Sequence, residues 1–543
     1  MKKQSFVNCK TVLGQCLGKG GLAVPYHNVA EFLLLNANRY PQKTALICRN
    51  RRISYQDLNQ KVNSIANGLL ALGIVPGDKA GYLLPNSNHL IEVYYALQKI
   101  GAVAVPLNSR VISREIEFLV YNSQCRALFF ADFLAPKVQE IKKNLKTVEF
   151  LISAGETEGA YSLEKVAALG DISEPVIFRD EDAPSRIQFT GGTTGLPKGA
   201  MRSHYAEISQ MLGGMISSGV GANPDEVVLI HCPLDHHAGH SWFNYTLAAG
   251  GTLIICDSLQ PDEILSLIER ERATYLLFLP PSTYLRVLDC PSLADYDLSS
   301  VKLAQSAAGY TSPEIIKRIC TGFSNCRMKY GWGQTESGLG TSLIFTLDMV
   351  EKDVPELASI GKPMPFIELK IVDEDGRELG VGEVGECLSR GPAAMGGYYN
   401  QPELTDSCLT SDGWIHTGDL MKRDEYDYFY FVSRKKNMIK SGGENVFSQE
   451  VENIIRKHPA VVNCVVFGIP DRHLGEAVAA VVQLGEGCAM NLKQLQEHCR
   501  EYLSSYKKPR YADFVSVLPM DAAGKIRIYR LQEIYKEKFK NQS

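Results

Sequence analysis

Short apolar runs alternate with amphipathic stretches along the chain up to about residue 335. The runs at 227–230, 252–256 and 275–279 end in polar residues, glycine or proline, as buried strands do. Between them, the apolar residues of 262–270 fall on one face of a helix. Strands that alternate with helices predict an α/β fold with largely parallel sheets.

The pattern changes near Ile360. Residues 366–372 alternate toward a turn at 373–376, and 382–389 again have the character of a strand. We therefore predict a β-rich subdomain over about 345–433, which closes a large N-terminal domain over 1–433. A basic stretch at 433–440 follows, and we predict a hinge at 434–437.

The remaining residues, 438–543, have the length and pattern of a small α+β domain. Ser448 is expected to cap a helix in which Val451, Ile454 and Ile455 share a face. Strands are predicted at 461–468 and 477–484, and a helix at about 492–503.

Composition narrows the functional classes. The chain has 543 residues, of which 45% are hydrophobic and 22% charged, as expected for a globular protein of two or more domains. The net charge of −4 gives no reason to expect nucleic acid or an anionic membrane as partner. No apolar run is long enough to cross a bilayer, and polar residues soon follow Lys2 and Lys3, so we expect no signal peptide and a cytoplasmic location.

Fourteen cysteines are scattered along the chain without a C-x-x-C pair, which predicts free thiols. The sequence is compatible with two oligomeric states, a monomer and a homodimer.

The segment T-G-G-T-T-G-L-P-K-G at 190–199 follows the strand-like residues 186–189. Its glycines can expose consecutive backbone N–H groups, its threonines add hydroxyl donors, and its lysine adds positive charge, which together match the oxygens of a phosphate. It is not a Walker A loop, because glycine follows Lys198. A dinucleotide turn at 18–23 is rejected because no strand precedes it. The predicted phosphate-binding residues are Thr190, Gly191, Gly192, Thr193, Thr194, Gly195 and Lys198.

This loop resembles the signature T-S-G-T-T-G-x-P-K-G of the adenylate-forming enzymes, a family that includes acyl-CoA synthetases, the adenylation domains of peptide synthetases and firefly luciferase. Gly191 stands where the family usually has serine, which removes one hydroxyl donor but keeps the backbone cradle. The resemblance implies an enzyme that uses ATP to activate a carboxylic acid.

Further motifs follow in the family's order. Residues 330–336, Y-G-W-G-Q-T-E, resemble the Y/W-G-x-T-E motif. By resemblance, Trp332 stacks beside adenine, Thr335 bonds the α-phosphate, and Glu336 helps to hold Mg²⁺, a cation that prefers carboxylate and phosphate oxygens. A small-residue turn that lies against adenine and the acyl pocket in relatives corresponds to Ala307, Ala308, Gly309 and Tyr310.

Residues 414–419 resemble the family's W-x-x-T-G-D, which makes Asp419 the expected acceptor for both ribose hydroxyls. Residues 433–437 resemble the hinge pattern G-R-x-K-D, in which Arg434 reaches the ribose or phosphates. Ser433 and Asn437 depart from the glycine and aspartate of that pattern.

Two residues complete the implied catalytic set. Lys525, within a segment that resembles P-x-T-x-x-G-K-I-x-R, fits the catalytic lysine, although Asp521 replaces the common threonine. His236 resembles the histidine of P-L-F-H-x-x-G, which borders the acyl carboxylate. The spacing of histidines 236, 237 and 240 also suggests a metal site, but a clear third ligand is missing.

The resemblance implies transfer of the acyl group to CoA after rotation of the C-terminal domain, with Gly442 and Gly443 in the pantetheine tunnel. The chain ends soon after that domain, which favours free CoA over the alternative, a carrier protein. A luciferase-like oxidation and a non-catalytic nucleotide-binding protein are the remaining alternatives. The expected neighbours of the acyl pocket contain no obvious cation or acid, which favours a fatty or aromatic acid: Trp242, Phe243, Ala307, Gly309, Tyr310 and 338–340.

Overall fold

The computed structural model describes residues 27–49, 51–178, 180–190, 197–219, 224–279, 281–306, 311, 313–323, 326–442, 444–471, 473–519 and 528–540. The chain divides into two compact units. The first comprises the chain up to Leu369 together with Ser389–His416, and the second comprises Lys370–Leu388 together with the chain from Thr417 onward.

The first unit begins with helices and strands that alternate. They are α1 Ala30–Arg39, β1 Thr44–Cys48, β2 Arg51–Ser54, α2 Tyr55–Ala71, β3 Lys79–Leu83, α3 Asn88–Lys99, β4 Val103–Pro106, α4 Ser113–Ser123, β5 Ala127–Phe130, α5 Ala135–Ile141, β6 Phe150–Ser153, β7 Tyr161–Ser162, α6 Leu163–Leu169, β8 Pro184–Thr190 and β9 Lys198–Ser203. Seven of these strands form one sheet in the order β7-β6-β5-β3-β4-β8-β9. Neighbouring strands are parallel except for the β8–β9 hairpin.

A second sheet follows, built mainly from the next stretch of chain. Its elements are α7 His204–Ser218, β10 Val227–His231, α8 His237–Ala248, β11 Thr252–Ile255, α9 Pro261–Glu271, β12 Tyr275–Phe278, α10 Ser282–Leu288, β13 Leu303–Ser306, α11 Pro313–Gly322, β14 Arg327–Tyr330, β15 Gly333–Gln334, β16 Gly338–Leu339, β17 Thr341–Phe345, α12 Leu347–Glu351 and β18 Lys362–Pro363. Nine strands pair in the order β18-β17-β14-β13-β12-β10-β11-β1-β2, and β15 pairs with β16 in a separate small hairpin. From β14 to β1 all neighbours are parallel.

Residues of this second sheet alternate between two apolar layers. Val228 and Ile230 belong to a core that also contains residues of the seven-stranded sheet, whereas Leu229 belongs to the core on the opposite face. Burial on both faces explains why the strands are continuous apolar runs.

The rest of the chain is richer in strands. It contains β19 Glu368–Val372, β20 Gly385–Arg390, α13 Pro402–Cys408, β21 Ile415–Arg423, β22 Phe429–Arg434, β23 Met438–Ser441, β24 Glu444–Phe447, α14 Ser448–Ile455, β25 Val461–Asp471, β26 Gly475–Leu484, α15 Leu492–Arg500, β27 Tyr511–Val515 and α16 Ile528–Lys540. Strands β19 to β22 form a four-stranded sheet, and β24-β23-β26-β25 form another, in which β27 pairs in parallel with β26.

The α/β class with a β-rich part and a small second domain is therefore confirmed. The strands predicted at 227–230, 252–256 and 275–279 are present as β10, β11 and β12, and those at 461–468 and 477–484 are present within β25 and β26. The predicted cap at Ser448 is wrong: α14 begins at Ser448 itself, and the residue before it, Phe447, has no side chain that can accept a capping hydrogen bond.

The twelve cysteines among the described residues are free, and ten of these are buried. No helix in this part of the chain is both long enough and apolar enough to span a bilayer.

Candidate active site

The phosphate-loop segment connects the two strands of the β8–β9 hairpin. Thr190 and Lys198 are cross-strand partners, and so are Phe189 and Gly199, so the ends of the loop are held at a fixed separation. The tip, 191–196, lies outside the described residues, and with it Gly191, Gly192, Thr193, Thr194 and Gly195. The hairpin thus places Thr190 and Lys198 side by side at the base of the loop.

A carboxylate lies at this base. Glu336 Oε1 accepts hydrogen bonds from the Thr190 hydroxyl at 3.2 Å and from the Tyr398 hydroxyl at 2.9 Å. The Lys198 ammonium lies 5.4 Å from the centre of the Tyr398 ring. Within the described residues no donor bonds Glu336 Oε2. Burial and the nearby Glu336 carboxylate raise the pKa of Tyr398, so its hydroxyl remains a donor.

The backbone of the Thr335–Glu336 turn is held from two sides. This turn joins the short strands β15 and β16. The Arg202 guanidinium donates to the Thr335 carbonyl oxygen at 3.0 Å, and the Met395 N–H donates to the Glu336 carbonyl oxygen at 2.8 Å. Thr335 itself is buried. These bonds hold the main chain of the turn from which the Glu336 side chain reaches Thr190.

Arg202 belongs to a fully buried charged cluster. Arg186 and Arg202 are cross-strand partners on β8 and β9, and neither is exposed to solvent. Glu207 Oε1 accepts from Arg186 at 2.8 Å and from Arg202 at 2.6 Å. Burial alone would raise the pKa of Glu207, but the two guanidinium groups outweigh it and hold the pKa at about 2.

The cluster continues toward the histidine segment. Arg186 is 2.9 Å from His237 Nδ1, and Gln210 Nε2 is 3.1 Å from His237 Nε2. Gln188, on the same strand as Arg186, donates to the carbonyl oxygen of Asp235 at 3.1 Å. Polar groups of β8, β9 and α7 therefore tie the phosphate-loop strands, the Thr335–Glu336 turn and the histidine segment into one framework.

The three neighbouring histidines have different environments. His236 lies at the N-cap of α8, where its Nδ1 accepts from the N–H of Ala238 at 3.4 Å. His237 joins the charged cluster, and His240 packs against the rings of Tyr94 and Phe243. Burial, with the two arginines, lowers the pKa of both His237 and His240 well below the usual value. No group of three His, Cys, Asp or Glu residues suited to a metal ion occurs in the described part of the chain.

Trp332 is buried, and its ring lies against Gly340. A Cβ at Gly340 would be 2.3 Å from Trp332 Cζ3, so only glycine fits there. The main chain of Trp332 is held by the Thr341 side chain, which accepts from the Trp332 N–H at 3.1 Å. Gly338, a predicted pocket residue, has φ +76° and lies next to Gln210.

Trp242 is buried on α8, and its ring lies 4.8 Å from that of Tyr275. The Lys329 ammonium lies 5.5 Å from the centre of the Trp242 ring. Lys329 was not among the residues predicted from the sequence, since none of the expected pocket neighbours was charged. A lysine inside a buried parallel strand was the signal that could have identified it.

The predicted ribose residues lie together in the second unit. Asp419 on β21 and Arg434 on β22 are cross-strand partners, and their side chains form an ion pair at 2.8 Å. Asp419 is fully buried, and its N–H donates to the Thr417 hydroxyl at 3.1 Å. Gly418, between Thr417 and Asp419, has φ +67°, a conformation that favours glycine.

The remaining predicted residues are only partly described. Gly442 follows β23 with φ +61°, and its N–H donates to the Leu474 carbonyl oxygen at 2.8 Å. Within the predicted hinge, Lys435 pairs with Glu386 at 2.8 Å. Predicted residues that lie outside the described part of the chain are Gly443, Lys525, Ala307, Ala308, Gly309 and Tyr310.

Similarity to known proteins covers almost the whole chain. A family model described as AMP-binding enzyme matches residues 34–399, and one described as AMP-binding enzyme C-terminal domain matches residues 450–525. The mitochondrial medium-chain acyl-CoA ligase ACSF2 of Bos taurus is 30% identical over 95% of this chain and 89% of its own length. Feruloyl-CoA synthase of an Amycolatopsis species is 32% identical over 90% of this chain and 95% of its own. The crystal structure of the anthranilate CoA ligase AuaEII in complex with anthranoyl-AMP superposes with a TM-score of 0.85 at 26% identity, covering 94% of this chain and 98% of that one.

Proposed function

The chain belongs to the AMP-binding enzyme family, and on that premise we propose that it joins a carboxylic acid to the thiol of CoA in two steps. In the first step, ATP and the acid form an acyl-adenylate and release pyrophosphate. In the second, the thiol of CoA attacks the acyl carbon and AMP leaves. The acyl-CoA ligases and the anthranoyl-AMP complex among the similar proteins support both steps.

The observation that carries the proposal is the position of Glu336. Its carboxylate faces the base of the phosphate loop, where it accepts from Thr190 and Tyr398 through one oxygen only. Thr190 and Lys198 are fixed on either side by the hairpin register. A phosphate held by this loop would therefore lie close to both a cation and a carboxylate.

This arrangement suits the first step because that step brings two anions together. The carboxylate oxygen of the acid attacks the α-phosphorus, and the bond from phosphorus to the pyrophosphate oxygen breaks. Repulsion between the two anions is on the order of several kcal/mol at a moderate effective dielectric constant. We assign Lys198, the loop N–H groups and Lys525 to offset that repulsion, and we assign Thr335 to the α-phosphate and His236 to the border of the acyl carboxylate.

The residues present suit a magnesium ion at Glu336. A carboxylate oxygen that takes no hydrogen bond from the described residues is a hard ligand of the kind Mg²⁺ prefers. The bound ion would supply positive charge to the pyrophosphate leaving group. The protein's own part is to aim the carboxylate, which it does through the bonds from Thr190 and Tyr398.

The nucleotide's ribose is assigned to the pair on β21 and β22. Asp419 offers a buried carboxylate that can accept from two hydroxyls, and Arg434 lies beside it. We assign adenine to the Trp332 region and the pantetheine arm of CoA to the turn at Gly442. The hinge at 434–437 remains a prediction.

Two assays test the proposal. ATP–pyrophosphate exchange should require a carboxylic acid, and Glu336→Gln should reduce the exchange rate by about 100-fold or more, as does loss of a group that stabilises a transition state electrostatically. A matched control is Glu351→Gln, an exposed position of the same unit, which should exchange at the wild-type rate.

The second assay follows the loss of free thiol. CoA should be consumed with one AMP formed for each thiol lost. Exchange without any CoA turnover, but with loading of a carrier-protein pantetheine, would replace CoA by a carrier as the acceptor. No acid-dependent exchange with a broad panel of acids would overturn the proposed function.

A further inference from the structure

A lysine is buried in the sheet with no acidic partner among the described residues. Lys329 is 3% exposed and lies on β14. Its ammonium donates to the Ser217 hydroxyl at 2.8 Å and lies over the Trp242 ring. Among the described residues, no carboxylate is within ion-pair distance of it. Burial lowers the pKa of Lys329 to about 7, which reflects the lack of a compensating negative charge.

A buried ammonium group such as that of Lys329 lowers the stability of the fold unless an acceptor pairs with it. An ammonium carries three N–H donors, and Ser217 accepts from one. Buried polar groups are normally satisfied, and an unpaired buried cation destabilises a fold strongly.

Lys329 and its polar neighbour Gln305 lie on the same face of the sheet, near the carboxyl ends of their strands. Gln305 is its direct neighbour in register on β13, and Gln305 Oε1 accepts from the Tyr275 hydroxyl at 2.6 Å. Lys329 and Gln305 each stand one residue before the carboxyl end of their parallel strands. Ligands of open α/β sheets bind at the carboxyl ends of the strands.

The same end of the sheet carries the motifs assigned to the reaction. The segment with His236 follows β10, and the segment with Trp332 and Glu336 follows β14. The helix that begins after His236 also carries Trp242, whose ring contacts the ammonium of Lys329. The lysine is therefore connected, through one helix and one strand, to both residues assigned to the acid and the metal.

We propose that Lys329, with Gln305 and Tyr275 beside it, forms the polar end of the acyl pocket and selects acids that carry an oxygen acceptor at the end remote from the reacting carboxylate. This inference rests on the proposed function and specifies its substrate class. A hydroxyl, a phenol or a second carboxylate can each accept the free donors of Lys329, whereas a terminal methyl group or an unsubstituted ring leaves them unpaired.

The expected ratio of kcat/KM between the two kinds of acid follows from the free energy that is lost when a buried charged donor has no acceptor. A site built to hydrogen-bond a substrate oxygen disfavours the analogue that lacks it, because the buried group is then left unpaired. A hydrogen bond to a charged group corresponds to a ratio of about 10-fold to 100-fold in kcat/KM. The preference should be largest for a second carboxylate, since it pairs with the ammonium as an ion.

The test compares acids that differ only at the remote end. The aliphatic set is octanoate, ω-hydroxyoctanoate and octanedioate, and the aromatic pair is cinnamate and para-hydroxycinnamate. The comparison is made within the set, aliphatic or aromatic, that the wild-type enzyme activates better. Within that set, the kcat/KM of the oxygenated acid should exceed that of the unsubstituted acid by about 10-fold or more. In Lys329→Met the ratio should fall to about 1, because the methionine retains the bulk and removes the donors.

Controls separate specificity from folding. Lys329→Met should keep or raise the melting temperature, because it removes an unpaired buried cation. Lys329→Gln retains an N–H donor and should keep part of the preference for the hydroxylated acid while losing that for the diacid. Lys317→Met, at an exposed position of α11, should leave every ratio unchanged.

Two outcomes would overturn the inference: a wild-type enzyme that prefers the unsubstituted acid in both sets, or an unchanged ratio in both Lys329 variants. If both variants fail to fold while Lys317→Met folds, Lys329 is a structural residue and the inference is also wrong. Failure of the proposed function is distinguishable, since no acid of either set would then support exchange.

Discussion

From the buried charge cluster at the base of the phosphate-loop hairpin, we predict that Glu207→Gln lowers the stability of the protein. This substitution keeps the shape of the side chain and removes its charge. Arg186 and Arg202, which both donate to Glu207 Oε1, would then face each other across β8 and β9 without a carboxylate. Neither side chain can reach solvent without opening the hairpin, because both are fully buried.

Two independent arguments give similar values for the free energy of unfolding that is lost in Glu207→Gln. Breaking a buried ion pair by removing one partner typically costs about 3–5 kcal/mol. Independently, the difference between a pKa of about 2 in the folded protein and the ordinary 4.5 corresponds to about 3 kcal/mol at 1.36 kcal/mol per pKa unit. We therefore expect Glu207→Gln to lower the free energy of unfolding by about 3–5 kcal/mol.

Urea denaturation followed by circular dichroism measures this loss at neutral pH. Because the pKa of Glu207 is depressed in the folded state, its stabilisation is fully present above pH 4.5 and is lost as the pH falls through about 2. The difference between wild type and variant should shrink over that range. Glu164→Gln is the matched control, since its pair with Lys61 is exposed and should be worth about 1 kcal/mol or less. Equal stability losses in the two variants would refute the reasoning.

Three further substitutions test the contacts of the nucleotide site. Tyr398→Phe removes one of the two donors that aim Glu336, so the exchange kcat should fall about 10-fold at unchanged melting temperature; an unchanged rate would contradict that role. Gly340→Ala places a methyl group against Trp332 and should cost about 1–3 kcal/mol of stability and raise the KM for ATP, whereas wild-type values of both would show that the ring is free to move. Asp419→Asn should raise the KM for ATP about 10-fold more than the KM for the acid, and equal effects on both would remove Asp419 from the ribose.

The strands and the major motifs could be predicted because each depends on local information. The apolar runs of β10, β11 and β12 are buried on both faces, which leaves a clear signal in the sequence. The phosphate-loop pattern needs its glycines and threonines at consecutive positions. The prediction that Ser448 caps a helix was wrong by one position. A capping residue lies immediately before the helix, whereas Ser448 is the first residue of the helix itself.

The partners within the charged cluster and the contacts of Lys329 could not be predicted from the local sequence pattern. Buried arginines and lysines contradict the usual preference of strand interiors, and their partners lie on other elements. The hairpin register did contain a clue, since Arg186 and Arg202 are equally far from Thr190 and Lys198, which makes them cross-strand partners. The carboxylate between them comes from α7, whose packing depends on the tertiary structure.

In the proposed first step, the acid's own oxygen attacks the α-phosphorus of ATP at the site around Glu336. Incubation of an acid labelled with ¹⁸O in its carboxylate, together with ATP and CoA, followed by mass spectrometry of the nucleotide, tests this claim most directly. We expect each AMP to carry one ¹⁸O atom, because the thiol attacks the acyl carbon and leaves the bridging oxygen on phosphorus. AMP without label, or label in inorganic phosphate with ADP as the product, would contradict it.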